Sequence, residues 1–360
     1  MPRFATRAAA ALALAAALGL ATAAPAPADP PTPAATDLVG VGSVAGDGLY
    51  NQFAADYDAS LAAAGDTTSP RLYSWDARGT SDITTKTGAT SIPRPKTSSQ
   101  AINDLLAYTS GTVDYVRLSR PPRITDPTTV DFVALAKDAV SWAAPAGGNA
   151  PANLSSFELK AIYACEITNW RQIDPNLPDA TIRPVVPGLY SSDSILRRSF
   201  FSSDEMNSFA NGALGATQNT NGFYAGPCVT SGVEDDQGAE AVLHDPNAIV
   251  PYSVGRWVGQ VNGGHRKPGD DPGVLVPHSL DGRAPIVNGR IGPIFASTSY
   301  ARILYTGVRD AEWTATDAHG QALQNVFGPM GWICDDPVAT ADIVSYGFLP
   351  TPACGAALHN

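Results

Sequence analysis

The sequence predicts an α/β protein with mostly parallel strands. Three observations carry this. Strand-like and helix-like segments alternate along most of the chain, which is the pattern of βαβ units. Several of the junctions are short polar loops rich in Ser and Thr. No internal repeat or heptad run competes with that reading.

Asp37–Gly42 is a short apolar run ending in glycine and reads as a buried strand. Asp47–Ala64 follows, with Leu49, Phe53, Tyr57 and Leu61 at a spacing of four, the period of one helix face. Arg71–Trp75 and Val113–Leu118 read as strands, the latter stopped by Pro121-Pro122. Between them, Ser98–Tyr108 reads as a helix opened by Thr/Ser, with Ile102, Leu105 and Leu106 inward. Phe132–Trp142 is expected to cross between two lobes as a strand. Ser155–Ala164 is a helix whose Ser155 lies three residues before Glu158, a capping box. Thr181–Val186 and Ala248–Tyr252 are strands, and Ser191–Phe201 and Val254–Val261 are helices. Asn262–Gly273 is a Gly/Pro-rich loop. Ile294–Tyr305 is expected to be a strand returning to the first lobe, and Leu323–Phe327 lies in a helix.

The 360 residues suffice for two domains of roughly 150 residues each. Residues 1–28 read as a signal peptide: Arg3 and Arg7, an Ala/Leu run from Ala8 to Ala23, then small residues at Ala26 and Ala28. Residues 29–36 form a disordered leader. The apolar run is short and Ala-rich for a membrane span. The first cysteine is Cys165, which speaks against a lipid anchor, so a secreted, soluble monomer is expected. Four cysteines in an exported chain favour two disulfides among three possible pairings. Locality favours Cys165–Cys228 and Cys334–Cys354. No Cys-x-x-Cys occurs and His is not clustered near Cys, so no metal and no cofactor are expected.

The net charge of −11 argues against a nucleic-acid partner. It also means that an anion must be held by local donors. Four segments offer such donors where a strand ends in a small polar loop: Gly42–Gly46 with Ser43; Lys96–Ser99 with Ser98 and Ser99; Arg117–Arg120 with Ser119 and Arg120; and Tyr190–Ser194 with Ser191, Ser192 and Ser194. Loops at the carboxyl ends of strands are where α/β sheets bind ligands, and helix N-termini favour anions. A Ser or Thr ahead of a helix is most often an N-cap worth about 1 kcal/mol. It is the occurrence of four such loops in one chain that brings a binding site into view.

Other chemistries fit less well. Gly40-Val41-Gly42-Ser43-Val44-Ala45 matches a dinucleotide fingerprint, but no acidic strand end follows at the required distance. There is no G-x-S-x-G nucleophile elbow, and the five histidines are scattered. The chain is therefore not expected to be an enzyme.

Segments of the chain resemble the phosphate-binding proteins of bacterial phosphate transporters. Thr97-Ser98-Ser99-Gln100-Ala101-Ile102 looks like that family's Gly-Ser-Ser-Gly-Gly loop before a helix. Thr112-Val113-Asp114-Tyr115 with Ser119 looks like its Val-Asp-Phe-Gly-Ala-Ser-Asp loop. Val185-Val186 with Ser191-Ser192-Asp193-Ser194 looks like its Arg-x-x-Gly-Ser-Gly-Thr loop. Ser91–Pro95, Lys137–Trp142 and Ile249–Ser253 resemble an actinobacterial branch of the family. The similarity covers most of Asp37 to Gly355. It implies a type II periplasmic-binding-protein fold, with two α/β lobes around a cleft. Lobe 1 would be residues 37–136 plus 292–360, and lobe 2 residues 137–291. It also implies a small polar or oxyanion ligand such as phosphate, and an ABC permease as partner. Here Val44-Ala45-Gly46 stands where the family offers hydroxyls, the family's Arg falls at Pro187-Gly188, Asp193 replaces a glycine, and Ser119 or Arg120 replaces the proton-accepting Asp. A secreted scaffold or adhesion module that has lost the small-molecule site is the alternative.

Overall fold

The computed structural model describes residues 29–187, 217–218, 224–233 and 241–359. The fold rests on one mixed sheet of eleven strands. It starts with β1 (Leu38–Gly42), a strand buried at every residue. A parallel strand covered on both faces reads as a continuous apolar run, and Leu-Val-Gly-Val-Gly is one. Helix α1 (Asp47–Ala63) buries Leu49, Phe53 and Tyr57 along one face. Strand β2 (Leu72–Ser74) and helix α2 (Ser98–Ala107) come next, the helix capped by Thr97, whose hydroxyl accepts from the Gln100 N–H. Strand β3 is Tyr115–Leu118. β1 lies parallel between β2 and β3, with Leu38 opposite Leu72 and Gly40 opposite Tyr115.

The sixteen-residue β4 (Val130–Pro145) is buried throughout except at Lys137. Helix α3 (Ser156–Tyr163) has the expected capping box of Ser155 and Glu158. It ends on Cys165, which takes φ 65° and donates its N–H to the Ile162 carbonyl at 3.0 Å. Strands β5 (Arg183–Pro187), β6 (Thr230–Val233) and β7 (Ala248–Ser253) make a second parallel group, with β5 in the middle. Helix α4 is Val254–Val261. The later strands are β8 (Leu275–Pro277), β9 (Ala301–Arg309), β10 (Leu349–Pro350) and β11 (Ala357–Leu358). Helices α5 (Ala318–Phe327) and α6 (Pro337–Ser345) lie between β9 and β10. The sheet order is β6-β5-β7-β4-β9-β3-β1-β2, with β8, β10 and β11 also on β4. Two parallel wings thus flank an antiparallel centre of β4 and β9, paired from Ala301–Ala139 to Arg309–Val130.

Separate cores lie on either side of that centre. Val133, Leu135 and Ala136 pack with Leu49, Phe53, Tyr115 and Leu304. Farther along the same strand, Ala139, Val140 and Trp142 pack with Leu159, Trp170 and Ile249. One strand therefore feeds a separate core with each of its halves.

The expected strand Ile294–Tyr305 begins only at Ala301. Phe295–Ser297 form a 3-10 turn, because the Thr298 hydroxyl donates to the Phe295 carbonyl at 2.7 Å and accepts from the Tyr300 N–H at 3.2 Å. Such local side-chain bonds draw the backbone away from a ladder. Phe295 and Tyr300 stack at 5.6 Å and join the core around Trp142. The expected helix Ser191–Phe201 lies outside the described residues.

Both disulfides pair as locality suggests: Cys165–Cys228, 63 residues apart, and Cys334–Cys354, 20 apart. Closing loops of these lengths removes about 4 and 3 kcal/mol of chain entropy from the unfolded state.

At the packing of α6 on α1, burial and the neighbouring Asp56 push the Asp342 carboxyl up to about 7. The unfolded group titrates near 4. The stability supplied by its proton is therefore complete below about pH 4 and lost as pH rises through 7. Asp342→Asn is expected to stabilise the protein at pH 8 by roughly 1–2 kcal/mol after solvent screening. The gain should shrink on acidification and vanish near pH 4. Denaturant midpoints of the two proteins across this range test it, and a variant less stable than the parent at pH 8 would refute it.

Candidate functional site

Three of the four hydroxyl loops meet at one point. Ser43 follows β1 and opens the turn Val44–Gly46; its Oγ accepts from the Ala45 N–H at 3.3 Å and donates to Ser119 Oγ at 3.2 Å. Ser98 is the first residue of α2, and its Oγ accepts from the Ser119 N–H at 3.0 Å. The Ser98 and Ser119 hydroxyls stand 3.4 Å apart. All three serines are buried. They sit at the carboxyl ends of the parallel neighbours β1 and β3, against the N-terminus of α2. That is where an α/β sheet offers N–H groups and hydroxyls to an anion.

The other expected site residues lie elsewhere. Ser99 is exposed on the first turn of α2. Arg120 is buried beside the cluster in sequence, but its guanidinium grips Asp126 with both Nη atoms, at 2.5 and 2.9 Å. Its charge is thus balanced within its own loop. Arg94 likewise holds Asp29 through both Nη atoms at 2.7 Å. Ser191, Ser192 and Ser194, with Asp193, lie outside the described residues.

Arg117 is the residue that sequence reasoning passed over. It is 1% exposed in the middle of apolar β3. Its Nε donates to the Ser43 carbonyl at 3.2 Å, its Nη2 to the Gly42 carbonyl at 3.1 Å and its Nη1 to Ser74 Oγ at 2.7 Å. It thus holds the first loop from below. The available signal was a charge within Tyr-Val-Arg-Leu, since a buried charge must be paired. Gly42 has φ +130°, and a Cβ there would meet the Arg117 carbonyl at 2.7 Å. A Cβ on Gly40 would meet the Tyr115 ring at 2.1 Å. The glycines of the dinucleotide-like pattern therefore serve close packing of β3 on β1.

A charged network continues from this loop. Asp47 heads α1 and is 1% exposed. Burial raises its carboxyl, but Arg256, then Arg78, Lys267 and Arg117, outweigh that and hold it at about 2. Arg256 on α4 reaches Asp47 at 3.3 Å and Asp270 at 2.6 Å, and so connects helix α4 with helix α1. Nearby, Asp138 on β4 accepts from Ser253 Oγ at 2.9 Å, from the Gly255 N–H at 3.0 Å and from Arg302 Nε of β9 at 2.8 Å. A Cβ on Gly255 would come within 2.7 Å of Asp138 Oδ1, so this approach requires glycine.

This arrangement can be set beside known proteins. The model of the PBP superfamily domain matches residues 29–257, more than half of the chain. The chain belongs to the PBP superfamily. No curated protein sequence matches it. Among solved structures, this PBP-superfamily chain is similar to a putative phosphate ABC transporter substrate-binding protein with bound phosphate from Clostridium perfringens. The TM-score is 0.56 at 13% identity, covering 88% of this chain and 99% of that one. It is also similar to an ABC-type phosphate transport receptor from Vibrio cholerae, with TM-score 0.53 at 14% identity, covering 88% and 100%. The ancestral soluble variant of the human phosphate binding protein gives 0.54 at 14% identity, covering 88% and 91%. At such identities the shared property is the fold, that of type II periplasmic binding proteins, as the resemblance in sequence implied. Among the described residues, no helix is long and apolar enough to cross a membrane.

Proposed function

We propose that this PBP-superfamily protein is an exported solute-binding protein that closes two lobes on a small polar ligand, with phosphate the first candidate. One observation carries the reading: hydroxyls from three separate loops, Ser43, Ser98 and Ser119, converge at the carboxyl ends of β1 and β3. N-caps alone have no reason to meet. The first lobe would comprise residues 37–136 and resume near Ala301, because Phe295 and Tyr300 pack with the core of the other lobe. Ser191, Ser192 and Ser194 would supply further hydroxyls to the ligand. The protein would bind its ligand without transforming it, and an ABC permease would receive it, as the transport receptors named above suggest.

The converging donors are neutral hydroxyls, and the Arg117 guanidinium is given to the carbonyls behind them, so selectivity would come from hydrogen bonds more than from charge. A hydrogen bond to a charged group contributes about 1.5–3 kcal/mol. Titration calorimetry of refolded, ligand-stripped protein is expected to show micromolar or tighter phosphate binding, with sulfate weaker. Ser98→Ala and Ser119→Ala should each weaken it at least about tenfold; Ser98→Ala should also lower the thermal midpoint, because it leaves the buried Ser119 N–H without its acceptor. Silence with both anions would overturn the oxyanion reading and leave a scaffold or adhesion role.

A further inference from the structure

Away from the serine cluster, three chain segments distant in sequence meet at the start of β4. Asp131 is the second residue of that strand and pairs with Val308 of β9. Asp310 follows β9 directly, and its N–H donates to the Thr129 carbonyl at 2.9 Å. His359 follows β11, whose Leu358 lies opposite Phe132. One carboxylate oxygen from each aspartate and one ring nitrogen of His359 all lie within 4.8 Å of one another.

Asp131 is 1% exposed, yet neither of its carboxylate oxygens takes part in a hydrogen bond among the described residues. The His359 Nδ1 approaches Oδ1 to 3.0 Å without the alignment of a hydrogen bond. A buried carboxylate with no donor is unfavourable, and a second carboxylate beside it makes it more so. Two ligands each roughly 2.1 Å from a shared ion stand roughly 3.0–3.4 Å apart. The spacing of Nδ1 and Oδ1 has that value.

We propose that Asp131, Asp310 and His359 form a site for a divalent cation of the zinc type. One imidazole and two carboxylates suit a borderline metal; imidazole disfavours calcium and magnesium, and the absence of thiolates disfavours soft ions. Solvent reaches the site along His359, whose side chain is 53% exposed, which leaves an entry path and room for water as a further ligand. A bound ion would clamp β11 and the end of β9 onto the start of β4. The site is independent of the phosphate reading.

Protein dialysed against a chelator and moved to phosphate-free buffer at pH 7.5 is titrated with zinc chloride, with calcium and manganese chloride as comparisons. One zinc per chain is expected, micromolar or tighter and tighter than calcium. His359→Ala and Asp310→Asn should each weaken it more than about tenfold, since even outer-shell partners of a metal are worth that much. Zinc should raise the thermal midpoint of the parent and of neither variant. Both replaced residues are at least partly accessible, so each variant should fold, which its circular dichroism checks. No zinc uptake by the parent, uptake unchanged in both variants, or calcium bound more tightly than zinc would overturn the assignment.

Discussion

Asp138→Ala is expected to destabilise the protein by about 3–5 kcal/mol, the usual cost of removing one partner from a buried ion pair. Asp138 is fully buried where β4 passes between the two cores. It accepts from Arg302 on β9, from the Ser253 hydroxyl and from the Gly255 N–H at the start of α4. The variant would take the carboxylate from a guanidinium that is only 9% exposed. It would also remove a negative charge from a helix N-terminus, where the dipole favours one. Asp138→Asn keeps an acceptor but not the charge and should lose about half as much. Denaturant unfolding at unchanged slope measures both. A loss below about 1 kcal/mol for the alanine variant would mean that the network is not what joins β4, β9 and α4.

Arg117→Met should cost about 2–4 kcal/mol, because it leaves two buried carbonyls and the Ser74 hydroxyl without their donor. Methionine fills similar volume, so packing is largely preserved. Arg117→Lys keeps the charge, but an ammonium on a flexible stem cannot fork to three acceptors. It should recover less than half of the loss. If the serine cluster binds phosphate, Arg117→Met should weaken binding at least as much as Ser98→Ala does, because the carbonyls of Gly42 and Ser43 position the Ser43 hydroxyl. Stability and phosphate affinity both unchanged would refute the role of Arg117 as support for the first loop.

These two residues also mark how far the sequence could be read. Helix α1 was legible from the fourfold spacing of Leu49, Phe53 and Tyr57, and α3 from Ser155 and Glu158. Caps and amphipathic faces depend on residues three or four apart, so their energetics are local. The serines of three loops were legible as N-caps and strand-end donors, but their meeting was an inference from strand–loop–helix order. The short 3-10 turn before β9 was not legible, because Thr298 and a local ring stack overrode an apolar run that reads equally as strand.

The partners of buried charges were beyond reach of the sequence. Arg120 pairs with Asp126 six residues on, a contact that its loop geometry decides. Arg117 lies 74 residues from the Ser43 carbonyl it supports, and Asp138 lies 164 from Arg302.

By itself the sequence determined the α/β class, helices α1 to α4, a preference among the three disulfide pairings and the residue types available for a polar ligand. Each of these follows from hydrophobic period, capping and chain proximity. Only the tertiary structure decided which polar groups share a site. The register of β1, β3, β4 and β9 sets which side chains face one another, and register is fixed by packing across segments far apart in the chain.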